Sequence, residues 1–303
     1  MDTLYDVIII GTGPAGLAAA IYAKRAKLNM LLLDKSRFAG GQVLNTYEVD
    51  NYPGFPGING MELGKKFKEH AANMGAEVAA EEVLSIKPLP DKVLVETKKN
   101  TYETKTVLAA TGADHKLLGV PGEEELTGMG VSYCATCDGA FFKNKKVAVV
   151  GGGDVAVEDA IFLARLCEKV YLIHRRDELR AAKSLQEKLL SMENVEVLWD
   201  TVVKEVQGKD KVEQLAIESV KDGSRQNLVV DGLFVAVGIA PNSGLLKGVV
   251  DMDEGGYVKA GEDGQTSEPR IFAAGDLRTK SLRQIVTAVS DGANAIHTLS
   301  RLC

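Results

Sequence analysis

The chain has 303 residues and is 45% hydrophobic, which is enough for one large domain or two ordinary ones with ample cores. Its net charge of −6 is spread along the chain, so neither nucleic acid nor an anionic membrane is expected as a partner. Four cysteines are too few for a disulfide scaffold. No apolar run approaches the length of a membrane span, and the start of the chain lacks the basic segment of a signal peptide, so a cytoplasmic location is predicted.

The first predicted elements are a strand, a glycine-rich loop and a helix. Residues 7–10 form a short β-branched run that ends at Gly11-Thr12-Gly13-Pro14-Ala15-Gly16, and a helix is expected over 17–27. A second strand over 30–33 ends at Asp34. In such a loop the first glycine permits the tight turn, the second lets the backbone approach a pyrophosphate, and the third lets the helix pack on the strand. The order predicts a dinucleotide-binding βαβ unit.

The same unit recurs in the middle of the chain. A strand over 147–150 leads into Gly151-Gly152-Gly153-Asp154-Val155-Ala156, a helix is expected to reach about Cys167, and a strand over 170–173 ends at His174. In both units the first glycine lies 23 positions before the residue that ends the second strand. This repetition indicates an internal duplication.

The residues at the ends of the two second strands predict different nucleotides. Asp34 offers a carboxylate, which accepts hydrogen bonds from ribose hydroxyls and would repel a 2′-phosphate. The second unit instead offers His174-Arg175-Arg176 and, shortly after, Arg180, and guanidinium groups bind phosphate bidentately. The first site is therefore expected to take FAD or NAD, and the second NADPH. The alternatives are an ordinary loop carboxylate and a solvated basic face at the start of a helix.

Strand-rich stretches follow each unit, and we predict an α/β fold of two Rossmann-like, three-layer ββα nucleotide-binding domains, the second inserted into the first. The strand-rich stretches are 83–88, 92–97 and 105–112 after the first unit, and 195–207, 212–220 and 228–238 after the second. The tail has a strand-like run over 270–274 and a helix from about 283 to 302, which is too little for a third domain. It is expected to complete the first, with linkers at Pro121-Gly122 and Pro241-Asn242-Ser243-Gly244.

Between the two glycine loops lies Cys134-Ala135-Thr136-Cys137, followed at once by Asp138. A zinc site would need four ligands, and neither Cys167 nor Cys303 has a second ligand beside it. A purely structural disulfide is disfavoured in a reducing compartment. Redox exchange is therefore the favoured use of the pair, and no metal is expected.

Further short motifs accompany these units: Gly40-Gly41-Gln42, Asn51-Tyr52-Pro53-Gly54, Ala110-Thr111-Gly112, Gly238-Ile239-Ala240-Pro241-Asn242, Ala274-Gly275-Asp276 and Arg283-Gln284. Over essentially the whole chain, the combination resembles the low-molecular-weight, bacterial-type thioredoxin reductases, class II pyridine nucleotide-disulfide oxidoreductases. The cysteine pair placed just before the second glycine loop is the most specific part of the resemblance.

The resemblance implies an FAD-binding domain over 1–116 and 244–303 and an NADPH-binding domain over 117–243 that carries the cysteine pair. It implies an FAD site formed by Gly11, Gly13, Pro14, Ala15, Gly16, Asp34, Gly41, Gln42, Asn51, Thr111, Gly112, Gly275, Asp276, Arg283 and Gln284. The expected NADPH site comprises Gly151, Gly153, Asp154, His174, Arg175, Arg176 and Arg180.

The resemblance also implies a relay in which electrons pass from NADPH through FAD to Cys134–Cys137 and then to thioredoxin. Cys137 would face the flavin, Cys134 would attack the substrate, and Asp138 would act as the general acid. A helix N-cap is the alternative role for Asp138. The family rotates its NADPH domain between half-reactions, which predicts hinges near 113–120 and 240–245. A homodimer is expected from the family alone.

Other functions remain open at this point. The redox partner could be a peroxiredoxin-like or glutaredoxin-like protein, or the enzyme could be fed by ferredoxin, although the arginine cluster argues against ferredoxin. Flavin-dependent NADPH oxidases and ferredoxin–NADP reductases use no disulfide, so the cysteine pair argues against them. The acidic run Glu123-Glu124-Glu125 is expected to be a solvated turn.

Overall fold

The computed structural model describes residues 4–36, 39–46, 49 and 51–303. The chain divides into two compact units, Met1–Asp114 with Ala240–Cys303, and His115–Ile239. The strands are β1 Leu4–Ile10, β2 Met30–Asp34, β3 Val78–Ala80, β4 Val83–Pro88, β5 Val93–Thr97, β6 Thr101–Ala109, β7 Ala113–His115, β8 Val131–Ser132, β9 Lys146–Val150, β10 Lys169–Ile173, β11 Val195–Leu198, β12 Thr201–Gln207, β13 Gln214–Ser219, β14 Arg225–Val229, β15 Gly232–Val235, β16 Ile239–Pro241 and β17 Ile271–Ala273.

The helices are α1 Pro14–Arg25, α2 Gly60–Asn73, α3 Ala135–Asp138, α4 Asp154–Ala164, α5 Lys183–Leu190 and α6 Ile285–Leu299. Short 3₁₀ turns occupy Gly41–Asn45, Gly139–Phe142, Gly244–Leu246 and Gly275–Leu277. No helix among the residues placed by the structure is long and apolar enough to cross a membrane.

The first unit is built on a seven-stranded sheet in the order β3-β2-β1-β6-β5-β4, with β17 also pairing with β6. β1 lies parallel to β2 and β6, so that Ile10 is opposite Leu33 and Ala109. β17 is also parallel to β6 and places Ala273 opposite Ala109. Because parallel strands end at the same edge of a sheet, the segments that follow these four residues meet there.

Helices α1 and α6 pack closely against each other beside this sheet. The face of α1 that enters the core consists largely of alanine, including Ala19, Ala20 and Ala23, and small side chains allow a close approach. At the contact, a Cβ atom on Gly292 of α6 would overlap the carbonyl oxygen of Ala15. The tail of the chain is therefore an integral part of the core that supports the first glycine loop.

The second unit has a parallel five-stranded sheet in the order β11-β10-β9-β15-β8 and a separate antiparallel sheet, β12-β13-β14. Val150 lies opposite Ile173 and Val235, and Ser132 lies opposite Phe234. The carboxyl edge of the parallel sheet therefore collects the second glycine loop, the arginine-rich segment and the cysteine pair. In this unit the β-branched runs form the buried strands that their pattern predicts.

Candidate redox and nucleotide sites

The first glycine loop leaves the start of α1 open to a ligand. Gly11 has φ +108°, and a Cβ atom there would overlap the carbonyl oxygen of Ala110. Gly16 has no room for a side chain because Gly11 lies against it. Pro14 begins the helix, where its missing N–H costs no hydrogen bond. Gly13 occupies the N-cap position and has no side chain with which to cap the helix. The first N–H groups of α1 are thus available to an anionic group such as a pyrophosphate.

Segments distant in sequence surround this loop. Gly40 donates a backbone hydrogen bond to the carbonyl oxygen of Thr12 at 2.8 Å. A Cβ atom on Gly41 would lie 2.9 Å from the Cα of Gly13, and one on Gly275 would lie 3.0 Å from the Cβ of Ala15. The structure therefore brings together the predicted glycine loop, the Gly40–Gly41 turn and the Gly275 turn.

Asp34 holds the loop in place. Its Oδ2 accepts hydrogen bonds from the backbone N–H of Thr12 at 2.8 Å and from the Oγ1 of Thr12 at 2.5 Å. Its Oδ1 accepts from the backbone N–H of Ser36 at 2.8 Å. A carboxylate has about four acceptor positions, so one is left for a ribose hydroxyl. Thr12 is a supporting residue that the sequence reasoning did not single out.

Four more of the predicted FAD residues form hydrogen bonds with protein groups of the same unit. The side-chain amide of Asn51 donates to the Oε1 of Gln284 at 2.9 Å, and the amide of Gln42 donates to the carbonyl oxygen of Ala113. The hydroxyl of Thr111 donates to the backbone carbonyl oxygen of Asn242 at 2.7 Å. These side chains order the segments around the site.

The Gly275–Leu277 turn presents the carboxylate of Asp276. The Oδ1 of Asp276 is buried and has no hydrogen-bond partner among the residues described, and Lys280 lies 3.8 Å away. Burial raises the pKa of Asp276, while the charges of Lys280 and Arg283 oppose that rise. Arg283 stacks over the ring of Tyr257 at 4.1 Å, and its Nε is also buried with no hydrogen-bond partner among the residues that the structure places. Two such orphaned groups suit a polar cofactor that would complete their hydrogen bonds.

A buried charge cluster fixes that turn, and the sequence reasoning missed it. Asp291 of α6 accepts hydrogen bonds from Arg278 at 2.7 and 3.0 Å, from Lys280 at 2.9 Å and from the backbone of Gly275 at 3.0 Å. Asp291 is only 5% exposed. An acidic residue on an otherwise apolar helix face was the visible signal, since a buried carboxylate needs partners.

The second glycine loop has a comparable form. A Cβ atom on Gly151 would lie 2.5 Å from the carbonyl oxygen of Ala236, whereas Gly153 faces open space. The backbone of Arg180 donates a hydrogen bond to the carbonyl oxygen of Gly152 at 2.7 Å. The arginine-rich segment is therefore joined directly to the loop.

His174 lies beneath this loop. Its side chain is buried, and a Cβ atom on Gly152 would overlap its imidazole ring. Burial lowers the pKa of His174, and the nearby charges of Arg180 and Arg176 lower it further. The Nε2 atom is buried and finds no hydrogen-bond partner among the described side chains and backbone. The structure thus places His174 as a buried support for the loop, with a lowered pKa that favours the neutral form.

Three guanidinium groups remain exposed beside the loop. Arg175, Arg176 and Arg180 make no side-chain hydrogen bond or ion pair with any residue that the structure describes. Asp154, at the start of α4, accepts a hydrogen bond from the backbone N–H of Ala182 at 2.7 Å and so holds the segment after Arg180. Unpaired guanidiniums next to a glycine loop suit a phosphorylated ribose.

Cys134 and Cys137 form a disulfide, with their Cα atoms 5.3 Å apart. Cys134 immediately precedes the helical turn α3 and Cys137 lies within it, and the backbone of Asp138 donates to the carbonyl oxygen of Cys134 at 3.1 Å. Both cysteines are half-buried. Cys167 is buried in the core and Cys303 is exposed, and both are free thiols. Among the described residues, no group of histidine, cysteine and carboxylate side chains is placed to hold a metal.

Asp138 is half-buried and directly follows the second cysteine of the disulfide. Its Oδ2 accepts a hydrogen bond from the hydroxyl of Ser132 at 2.6 Å, and its Oδ1 is buried with no partner in the described part of the chain. Burial raises the pKa of Asp138, and the bond from Ser132 partly opposes this. Asp138 occupies the N-cap position of the 3₁₀ turn that follows, but its side chain makes no capping hydrogen bond to the described residues.

Glu123 corrects one expectation, because it is buried rather than part of a solvated turn. Its carboxylate accepts hydrogen bonds from the backbone of Leu118 at 2.9 Å, the backbone of Gly119 at 2.8 Å and the hydroxyl of Tyr133 at 3.0 Å. Burial raises the pKa of Tyr133 to about 12. Tyr133 directly precedes Cys134. The segment before the cysteine pair is therefore fastened to residues 118 and 119.

A family model described as "Pyridine nucleotide-disulphide oxidoreductase" matches residues 5–292. The chain belongs to this family, as the motifs predict.

Within the family, the chain is similar to thioredoxin reductases. The enzyme of Listeria innocua is 46% identical over 292 residues, covering 96% of this chain and 91% of that one. The enzyme of Peptoclostridium litorale is 46% identical over 303 residues, covering 97% and 96%. The crystal structure of Streptococcus pyogenes thioredoxin reductase matches with a TM-score of 0.94 at 45% identity, covering 100% and 99%. These matches confirm the predicted fold class of two Rossmann-like nucleotide-binding domains.

Proposed function

We propose that this chain is an NADPH-dependent thioredoxin reductase that carries FAD and reduces the disulfide of thioredoxin through Cys134 and Cys137. The observation that carries the proposal is a disulfide beside a half-buried carboxyl group, in the same unit as a glycine loop with three arginines that have no side-chain partner among the described residues. The related thioredoxin reductases confirm the predicted class of enzyme and its FAD and NADPH cofactors.

The first unit, predicted as residues 1–116 and 244–303, is proposed to hold FAD. The N-terminus of α1 would bind the pyrophosphate and Asp34 the ribose, while Asp276 and Arg283 would complete their unmade hydrogen bonds on the cofactor. Gln284 would lie at the flavin end. Bound FAD supplies two-electron transfer between a nicotinamide and a disulfide.

The second unit, predicted as residues 117–243, is proposed to bind NADPH. The loop at Gly151–Gly153 would accept the pyrophosphate, and Arg175, Arg176 and Arg180 would bind the 2′-phosphate. His174 contributes by supporting the loop rather than by charge, because it is buried and its pKa is lowered.

The reduced cysteine pair would act on thioredoxin by disulfide exchange. The Cys134 thiolate attacks one sulfur of the substrate disulfide, whose S–S bond breaks and releases the first substrate thiolate. Cys137 then attacks the sulfur of Cys134, which re-forms the Cys134–Cys137 bond and releases the second substrate thiolate. Asp138 would supply a proton to a thiolate, since its raised pKa keeps it protonated at a higher pH than an exposed aspartate.

Domain rotation is part of the proposal. The proposed flavin site belongs to the first unit, whereas both the NADPH site and the disulfide belong to the second, and each must reach the flavin in turn. The predicted hinges lie near 113–120 and 240–245. Glu123 ties Leu118 and Gly119 to the second unit, which favours bending near 113–115. Solution scattering that stays identical with and without an NADP analogue, under reducing conditions, would count against rotation.

The test of the relay is NADPH-driven reduction of thioredoxin by the wild type and by the variants Cys134→Ser and Cys137→Ser. Both variants should still reduce a small-molecule electron acceptor but fail with thioredoxin. Cys303→Ser is the matched control, because it removes an exposed thiol outside the motif. Thioredoxin turnover retained by both motif variants would reject the proposal.

The protein is further proposed to be a cytoplasmic homodimer without nucleic-acid or membrane partners. The net charge of −6 supports the absence of polyanionic partners. Sedimentation at several protein concentrations tests the dimer, and a monomer at all of them would exclude it. If peroxiredoxin-like or glutaredoxin-like proteins turn over faster than thioredoxin in the same assay, the partner assignment changes while the chemistry stays.

A further inference from the structure

The hydroxyl of Ser132 joins the disulfide to its neighbouring acid. Ser132 is 5% exposed. Its Oγ donates to the Oδ2 of Asp138 at 2.6 Å and accepts a hydrogen bond from the backbone N–H of Cys134 at 3.1 Å. The carbonyl oxygen of Cys134 lies 3.4 Å from the same Oγ and is a second acceptor for the single hydroxyl proton.

This geometry serves both charge states of Asp138. When the carboxylate is ionised, the hydroxyl donates to it. When the carboxyl group is protonated, it can donate to Oγ while the hydroxyl proton turns toward the carbonyl oxygen of Cys134. A hydroxyl can both donate and accept, whereas an alanine side chain can do neither.

Within the described part of the chain, burial and the hydrogen bond from Ser132 account for the shift in the pKa of Asp138, and no charged group contributes to it. Helix α3 packs against the turn at Gly139–Phe142, which has no titratable side chain, and against α4. On α4 the carboxyl groups are Asp154, Glu158 and Asp159, and none of them shifts Asp138. Strand β15, which pairs with the strand that ends at Ser132, consists of Gly-Leu-Phe-Val.

We propose that Ser132 is a positioning residue for proton transfer at the redox disulfide, holding the carboxyl group of Asp138 in one place in both its charge states. The inference rests on the proposed role of Asp138 as proton donor. In the transfer, the O–H bond of Asp138 breaks and an S–H bond forms on a cysteine thiolate, with no change in oxidation state. The carboxylate left behind accepts the hydrogen bond of Ser132. The electrons that open the disulfide come from NADPH, which is oxidised.

The test compares Ser132→Ala and Ser132→Thr with the wild type, because threonine retains the hydroxyl. Infrared titration of the oxidised enzyme follows the protonated carboxyl band of Asp138, assigned by its loss in Asp138→Asn. Loss of a hydrogen bond to the ionised form should raise the pKa of Asp138 by about one unit in the alanine variant. The threonine variant should return it to the wild-type value.

The same variants are then followed through thioredoxin turnover as a function of pH. The alanine variant should show its pH profile displaced upward by about the same unit, and the threonine variant should not. An unchanged pKa of Asp138 in the alanine variant, or a threonine variant that behaves like alanine although folded, would overturn the role of Ser132. If the alanine variant shows the infrared shift relative to the wild type, but the wild type has no thioredoxin turnover, the proposed function is rejected while the role of Ser132 stands. The two failures can therefore be told apart.

Discussion

Replacing Arg175 and Arg176 together with alanine tests which nucleotide the second unit prefers. Both side chains are exposed and have no protein partner in the described structure, so their removal leaves no buried group unsatisfied. A hydrogen bond to a charged group contributes roughly 1.5–3 kcal/mol, and the lower value suits exposed guanidiniums. Two such losses amount to about 3 kcal/mol, which is a factor of roughly 100 in affinity.

The kcat/KM for NADPH should therefore fall about 100-fold, while that for NADH, which has no 2′-phosphate, should change less than about threefold. The assay is coenzyme-driven reduction of a small-molecule acceptor, which does not depend on the disulfide. The control is the double variant Lys204→Ala with Arg225→Ala, which removes two positive charges elsewhere in the same unit, where both pair with Glu218. Equal losses with NADPH and NADH would refute the phosphate assignment, as would a control that loses NADPH preference to the same extent.

Three further outcomes follow from buried charges. Burial raises the pKa of Asp159 to about 7, whereas an aspartate in the unfolded chain has a pKa of about 4. The stabilising contribution of Asp159 is therefore complete below about pH 4 and is lost as the pH rises to about 7. Asp159→Asn should flatten this decline in the free energy of unfolding, measured in urea. Glu123→Gln replaces one of the two accepting oxygens by an amide NH₂, so that the backbone N–H of Leu118 or of Gly119 loses its acceptor. This should cost about 1–3 kcal/mol in the same measurement, whereas the exposed Glu124→Gln should cost nothing measurable. Asp291→Asn leaves two buried cations undercompensated and should weaken FAD retention on a desalting column, with the exposed Glu262→Gln as control.

The parts of the fold that could be predicted are those determined by short local patterns. Strand β4 spans the predicted 83–88, and β1 contains the predicted 7–10. The β-branched run at 7–10 is fully buried, whereas β4 buries only Val83 and Ile86. Helix α1 begins at Pro14, three residues before the predicted start, because proline is well suited to the first helical position. The two glycine loops were readable for the same reason, since each has a strand before it and a helix after it.

Other elements depend on contacts that a single sequence does not display. Helix α2 was not predicted, although Asn59 caps it by accepting from the backbone of Met61 at 2.9 Å. Glu123 looked solvated because it lies in an acidic run, and only the fold buries it against Tyr133. The hydrogen-bond partners of Asp291 lie 11 to 16 residues away from it in the sequence, too far for a local pattern to reveal them. A charge pattern alone cannot identify which acidic residue will be enclosed.

The equal spacing in the two nucleotide units places a supporting side chain beneath each glycine loop. In both units, the residue 23 positions after the first glycine supports the second residue of the loop. Asp34 does so by hydrogen bonds to Thr12, which require a side chain there, whereas His174 does so by ring volume, which requires glycine at 152. Burial and a lowered pKa make His174 a poor phosphate ligand, so we propose that recognition of a 2′-phosphate falls to the exposed arginines that follow it. On this proposal both units use the same position as a support, and Arg175, Arg176 and Arg180 would determine the choice of nucleotide in the second unit.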